Sequence, residues 1–276
     1  MMQQSINAAV VQMSSSADVQ QNLGEARRWV HQAARDGATL ICLPEYFCWI
    51  GDDEMQRVAL AEAFGDGPIQ QALSELARET GAWLIGGTVP IRPAHGPQAG
   101  THAYNTSLVF DPSGQCSARY DKIHLFSFNQ GAEQHAEGDT MVGGDSIGTA
   151  QGPFGTLRLS VCYDLRFPEL YRAAPDADVI AVPAAFTHTT GLAHWELLLR
   201  ARRRKPGLRA RIRSVRHAFE WLADFWTQYD RRAVGRGARA ARRRARNRAR
   251  DAHTKRARRS AQSSAGAHAS AYRYAV

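Results

Sequence analysis

The stretch Leu157–Leu170, LRLSVCYDLRFPEL, decides the fold. Leu157, Leu159 and Val161 alternate with Arg158 and Ser160, which predicts a strand over Leu157–Val161. Pro168 then predicts the start of a short helix, because proline suits the first helical turn, where its missing N–H has no partner to lose. Cys162 stands between the two elements. A strand running into a helix with a reactive residue at the junction is a unit of layered α/β proteins.

Working outward, the same alternation of elements recurs. INAAVVQM (Ile6–Met13) and ATLICLP (Ala38–Pro44) predict buried strands. Between them Asp18 caps a helix to about Arg35, with Leu23, Ala26, Val30 and Ala34 at helical spacing. Gly67-Pro68 opens a second helix, with Ile69, Leu73 and Leu76 on one face, and Gly81 closes it. Ala82–Ile91 and Tyr104–Phe110 predict strands, Asp111-Pro112-Ser113-Gly114 a turn, and Gln115–Lys122 the returning hairpin strand. Beyond the opening stretch, Val179–Val182 predicts a strand and Leu192–Arg202 an amphipathic helix. The order implies an α/β protein whose sheets are covered by helices.

The 276-residue chain is 44% hydrophobic and 22% charged, the composition of a globular protein. No run approaches the roughly 18 to 20 apolar residues of a membrane span. The N-terminal MMQQSINAAV has no basic segment ahead of an apolar run, so neither a membrane partner nor a secretory leader is expected. Cys42, Cys48, Cys116 and Cys162 are scattered, which predicts neither a disulfide framework nor a zinc site and points to a reduced, cytoplasmic setting.

The net charge of +9 averages two unlike parts. Residues 1–202 carry 13 Lys+Arg against 22 Asp+Glu, a net of −9, whereas residues 203–276 carry 22 against 4, a net of +18. The second part is an Arg/Ala-rich tail whose apolar residues are mainly alanine, so it is expected to be irregular or disordered. Its arginines would attract nucleic acid only nonspecifically.

Three reactive residues fall at predicted strand ends: Glu45 after Pro44, Lys122 at the end of the hairpin strand, and Cys162 in the opening stretch. Each has a structural alternative, since a cysteine after an apolar run is commonly a small core residue and a glutamate or lysine after a strand is commonly solvated.

The segments LPEYF (Leu43–Phe47), YDKIHLF (Tyr120–Phe126) and VCYDLRFPELYR (Val161–Arg172), in this order, resemble the three signatures of the nitrilase superfamily of carbon–nitrogen hydrolases. The resemblance covers about residues 5–202 and implies a nitrilase-like α-β-β-α sandwich, incomplete at its C-terminal end. It implies Cys162 as nucleophile, Glu45 as general base and Lys122 as stabiliser of the tetrahedral intermediate. A second glutamate that positions the lysine would be Glu137, in HAEGDTMVGGD, with Glu133 as the competing candidate.

CYDLRFPELYR and PAAFTHTTGLAHWELLLRAR look most like the branch that holds deaminated-glutathione amidase and omega-amidase. That likeness implies a small carboxylate-bearing linear amide as substrate, with no metal or organic cofactor, and a homo-oligomer in intact relatives. Tyr163, Arg166, Thr187 and His188 are the candidate substrate-binding residues; Arg166 also reads as a structural ion-pair partner, and Thr187 and His188 as solvated loop residues.

After HWELLLRAR the expected buried strands give way to RRKPGLRARIRSVRHAFEWLADFWTQYDRR. A shift of reading frame accounts for this, because suitable codons for KPGLRARIRSVR read one base later spell a sequence resembling the family's continuation. The departure is expected to leave sheet edges and apolar helix faces uncovered, and to lower both folding and activity.

Overall fold

The computed structural model describes residues 6–130, 133–173, 177–203 and 270–275. The chain opens with β1 (Asn7–Gln12), α1 (Val19–Arg35), β2 (Leu40–Cys42), α2 (Glu54–Ala59) and α3 (Pro68–Thr80). β3 (Trp83–Ile85), β4 (Val89–Ile91), β5 (Ala103–Phe110), β6 (Cys116–Asp121) and the hairpin β7 (Ser127–Gln130) and β8 (Glu133–Ala136) follow. A 3-10 turn, Glu137–Asp139, leads to β9 (Met141–Val142), β10 (Thr149–Gly152) and β11 (Gly155–Leu159). A second 3-10 turn, Cys162–Arg166, leads to α4 (Pro168–Arg172), β12 (Val179–Ala181), α5 (His188–Arg203) and β13 (Ser270–Ala275).

The caps expected from the sequence form. The Asp18 carboxylate accepts the Gln21 N–H at 3.0 Å, satisfying one of the orphan donors at the start of α1. Pro68 opens α3, and Gly81 ends it at φ 63°, a left-handed conformation that costs glycine little.

Two sheets carry the site. In the larger, β1, β2 and β3 run parallel, β5 pairs antiparallel with β3, β4 and β6, and β9 joins β5 in parallel. The smaller has the order β10-β11-β12. Alternating side chains face opposite ways along a strand, so β2, β3 and β5 of the larger sheet each feed two cores. Ile41, Leu84 and Leu108 point outward against Ala26 and Val30 of α1 and Leu73 and Leu76 of α3. Leu40, Ile85 and Val109 point inward against Leu157, Leu159 and Ala181 of the smaller sheet, whose core Leu170, Trp195 and Leu199 of α4 and α5 also join. Each fully buried Leu or Ile contributes roughly 1.5–3 kcal/mol. The result is the expected helix–sheet–sheet–helix sandwich.

One expectation is corrected and one is narrowed. Ala82–Ile91 is two strands, not one, because Gly86 and Gly87 interrupt it; Gly87 adopts φ 57°, and a Cβ there would lie 2.1 Å from the Pro44 carbonyl oxygen. The chain therefore passes directly against the residue that precedes Glu45. The tail, read as irregular over 203–276, forms a strand at Ser270–Ala275, which pairs antiparallel with β1 from Asn7 opposite Ala275 to Gln12 opposite Ser270. SAYRYA carries two tyrosines that favour extended chain, and the free edge of β1 offers a row of unpaired backbone groups. The edge of β1 is thus filled, while residues 204–269 lie outside the described residues. Among the described residues β12 stands at an edge of its sheet, and Leu192 and Leu197 of α5 are exposed.

Candidate active site

Glu45, Lys122 and Cys162 each sit just past the C-terminal end of a strand: β2, β6 and β11 respectively. Layered α/β proteins gather their sites at such ends, where the chain leaves the sheet and side chains converge. Cys162 has φ 45° and Tyr46, next to Glu45, has φ 56°. Such left-handed backbone in a non-glycine residue costs of order 1–3 kcal/mol and persists only where its surroundings hold it. The Cys162 N–H donates to the Pro183 carbonyl at 2.9 Å, and the Tyr46 N–H donates to Thr88 Oγ1 at 2.8 Å, so both turns are anchored.

The lysine joins two carboxylates. Lys122 Nζ donates to Glu45 Oε1 at 3.0 Å and to Glu137 Oε2 at 2.8 Å. Asn105 Nδ2 donates to both glutamates, at 3.0 Å to Glu45 Oε1 and 2.9 Å to Glu137 Oε1. Glu137 also accepts the Tyr46 hydroxyl at 2.5 Å and the Phe126 N–H at 2.7 Å, and Glu45 Oε2 accepts the Ala185 N–H at 2.8 Å. Every buried charge in this cluster therefore has partners, as a buried ionic group requires.

The electrostatics follow from counting charges: two carboxylates share one ammonium. Burial works against the charge on Lys122, but Glu45 and Glu137 outweigh it and hold its pKa well above the ordinary value. Burial likewise opposes ionisation of Glu137, yet Lys122, the Phe126 N–H and the Tyr46 hydroxyl hold its carboxyl below 4.5. Burial and the adjacent Glu45 push the Cys162 thiol well above 9.0, with Lys122 pulling only partly the other way. Lys122 alone favours the thiolate, but burial and Glu45 outweigh it. Cys162 rests as a neutral thiol beside a base.

These residues line a cavity of about 560 Å³ together with Tyr163, Arg166 and Thr187. Tyr163 packs edge-on against Phe126, ring centroids 5.3 Å apart. Arg166 Nη2 lies 3.2 Å from His194 Nδ1, its Nε is buried with no hydrogen-bond partner, and no carboxylate among the described residues lies within salt-bridge range of it. Thr187 is buried and bonds Thr190, Oγ1 to Oγ1, at 2.9 Å. His188 is exposed and absent from the cavity wall, which corrects its expected place. α5 begins at His188, and one residue's rotation of about 100° carries its side chain away from the face that Thr187 and Thr190 share. Of the two candidate second glutamates, Glu137 meets Lys122, while the side chain of Glu133 lies outside the described residues.

Sequence reasoning missed four contributors. Tyr46 lies inside a quoted motif but was given no role. Asn105 opens the buried polar run Asn105-Thr106-Ser107 in β5, where asparagine is disfavoured, and that mismatch was the available signal. Arg57 is buried over the Tyr46 ring, 3.9 Å from its centroid, and pairs with Glu54. Asp164, fully buried, follows the cysteine by two residues. Among the described residues no group of three His, Cys, Asp or Glu side chains could hold a metal, and no helix is long and apolar enough to cross a membrane.

Comparison with known proteins extends the picture. The carbon-nitrogen hydrolase family profile matches residues 7–205. The deaminated glutathione amidase of Yersinia enterocolitica is 40% identical over 200 residues, covering 71% of this chain and 68% of that protein. The human omega-amidase is 35% identical over 204 residues, covering 72% of this chain and 70% of its own. The structure of a glutamate-to-glutamine mutant of an amidase from Nesterenkonia sp. AN1, showing the Michael addition of acrylamide at its active-site cysteine, superimposes with a TM-score of 0.61 at 27% identity, over 74% of this chain and 76% of that one.

Proposed function

Because this chain belongs to the carbon-nitrogen hydrolase family, we propose that its cavity hydrolyses a linear amide by a Cys162–Glu45–Lys122 mechanism through a thioester, releasing ammonia. The observation that carries the reading is the Lys122 ammonium held between Glu45 and Glu137 in the cavity that Cys162 lines. The cysteine modified by acrylamide in the Nesterenkonia amidase supports the choice of nucleophile.

Amide carbonyls are poor electrophiles and a neutral thiol is a weak nucleophile, so the thiol must lose its proton as it attacks. Glu45 takes that proton while Cys162 Sγ bonds to the carbonyl carbon. The resulting oxyanion is met by Lys122 Nζ and by the Tyr163 N–H, which lies in the first turn of a short helix, where N–H groups have no partner within the helix. The C–N bond then breaks and Glu45 returns the proton to the nitrogen, which leaves as ammonia. Glu45 next removes a proton from water, whose oxygen attacks the thioester; the C–S bond breaks, and the thiolate recovers the proton from Glu45. Glu137, Asn105 and Tyr46 keep Lys122 aimed throughout.

A carboxylate-bearing amide, such as deaminated glutathione or an omega-amide, is the proposed substrate class. Arg166 supports it, as a guanidinium on the cavity wall with an unpartnered Nε. Residues 1–202 form the proposed catalytic unit. Assembly into a homo-oligomer is supported by the exposed Leu192 and Leu197 of α5, and a cytoplasmic setting by four cysteines that are all free thiols. The tail after residue 202 is proposed to arise from a shifted frame; sequencing codons 200–206 tests it, and an intact frame with peptides from both sides overturns it. Ammonia release across a panel of amides with and without carboxylates, from this chain and from one with the frame restored, tests the activity. Release confined to amides lacking a carboxylate contradicts the substrate class.

A further inference from the structure

Asp164 lies outside the cavity wall, yet its carboxylate touches the residues on either side of both catalytic groups. Oδ2 accepts the Tyr120 hydroxyl at 2.7 Å and the Val161 N–H at 2.9 Å. Oδ1 accepts the His124 N–H at 3.1 Å and lies 2.7 Å from His124 Nδ1, which donates to it in the tautomer that carries its proton on Nδ1. Lys122 lies midway between Tyr120 and His124, and Cys162 lies between Val161 and Asp164 itself. Tyr120 belongs to β6 of the larger sheet, and Val161 follows β11 of the smaller one. One buried carboxylate therefore spans the gap between two sheets where they deliver the lysine and the cysteine. The His124 ring also stacks on Phe167, with centroids 3.7 Å apart and planes 6° apart, so the two segments are pinned twice.

We infer that Asp164 is a positioning residue that sets the separation of Lys122 from Cys162. The inference rests on the amidase reading for its consequence but on hydrogen-bond geometry for its substance. Four donors converge on two oxygens, and no other side-chain type of this size accepts four. An Asp164→Asn substitution would present an amide N–H₂ to one pair of donors, leaving that pair unsatisfied and forcing β6 and the Cys162 turn apart. Displacements of about 1 Å in a reacting pair cost roughly 10²-fold in rate.

The test compares the parent chain with Asp164→Asn and Tyr120→Phe, each checked for an intact fold by circular dichroism. Two readouts are taken: kcat and KM for ammonia release, and the iodoacetamide reactivity of Cys162 relative to the exposed Cys116, resolved by peptide mass spectrometry. Asp164→Asn is expected to lower kcat about 10²-fold with KM within about threefold, and to lower the Cys162:Cys116 alkylation ratio about tenfold. Tyr120→Phe, which removes one donor and keeps the ring, is expected to move both in the same direction by less. A folded Asp164→Asn with kcat and alkylation ratio within about threefold of the parent overturns the inference. Should Asp164→Asn not fold, unchanged values in Tyr120→Phe overturn it. The alkylation ratio needs no turnover, so absent ammonia release from the parent counts against the amidase reading alone.

Discussion

Lys122 Nζ lies 3.0 Å from Glu45 Oε1, and both side chains are 1% exposed. A buried pair of this kind is rarely a source of net stability, because taking two charges out of water costs about what their attraction returns. Here the arrangement is also unbalanced, since Glu137 brings a second negative charge to the same ammonium at 2.8 Å. Such a site holds the lysine charged beside a thiol whose pKa is raised, which suits a reaction that moves one proton back and forth.

Replacing Lys122 by Met leaves Glu45 and Glu137 buried without their shared counter-charge. Removing one partner of a buried pair costs about 3–5 kcal/mol. Chemical denaturation of Lys122→Met is expected to show a loss of that size, with ammonia release down at least about 10²-fold. A variant as stable as the parent would show that the ammonium is not what holds the two carboxylates.

Acid sensitivity follows from Glu137. Its folded pKa is depressed below 4.5, so its contribution to stability is present above the unfolded value and is lost as pH falls through the folded one. The thermal midpoint of the parent is expected to fall as pH drops below 4.5, and that of Glu137→Gln to fall less steeply over the same range. Parallel curves for the two proteins would remove Glu137 from the linkage.

The cysteine should titrate late. Because burial and Glu45 raise the Cys162 thiol above 9.0, the thiolate fills only beyond that pH, and iodoacetamide reactivity is expected to climb from pH 6 to 9 without a plateau. In Glu45→Gln the raising carboxylate is gone, so the climb moves to lower pH while ammonia release is lost. A plateau in the parent below pH 8 would mean a preformed thiolate and a different role for Glu45.

Arg166 distinguishes a binding role from a structural one. If its guanidinium meets a substrate carboxylate, Arg166→Ala raises KM for carboxylate-bearing amides by roughly 10-fold or more, with kcat changed less. KM for a neutral amide should stay near the parent value. Equal effects on both classes would return Arg166 to a structural part beside His194.

The three residues proposed as catalytic were legible as candidates because they follow strands in short motifs, where local pattern and chemistry coincide. Glu45, Lys122 and Cys162 needed only the recognition of strand ends and of three ordered segments. Asn105 and Asp164 were not legible, because their meaning is set by partners far along the chain: Asn105 meets Glu45 across 60 residues and Asp164 meets Tyr120 across 44. A single sequence does not say which distant residue an asparagine in a buried strand will meet. His188 failed for a nearby reason, since a shift of a single residue at a helix start turns a side chain from cavity to solvent. Helix α2 went unread because EMQRVA is short, and its burial rests on Arg57, a residue type that pattern reading assigns to the surface.

Ammonia release from a carboxylate-bearing linear amide, measured side by side for the parent and for Cys162→Ala, each also with the frame restored after residue 202, is the most direct test. The mechanism requires release that depends on Cys162 and falls about 10³-fold or more in the alanine variant, with the fold retained. Release at the parent rate from Cys162→Ala, or none from the frame-restored parent, would contradict it.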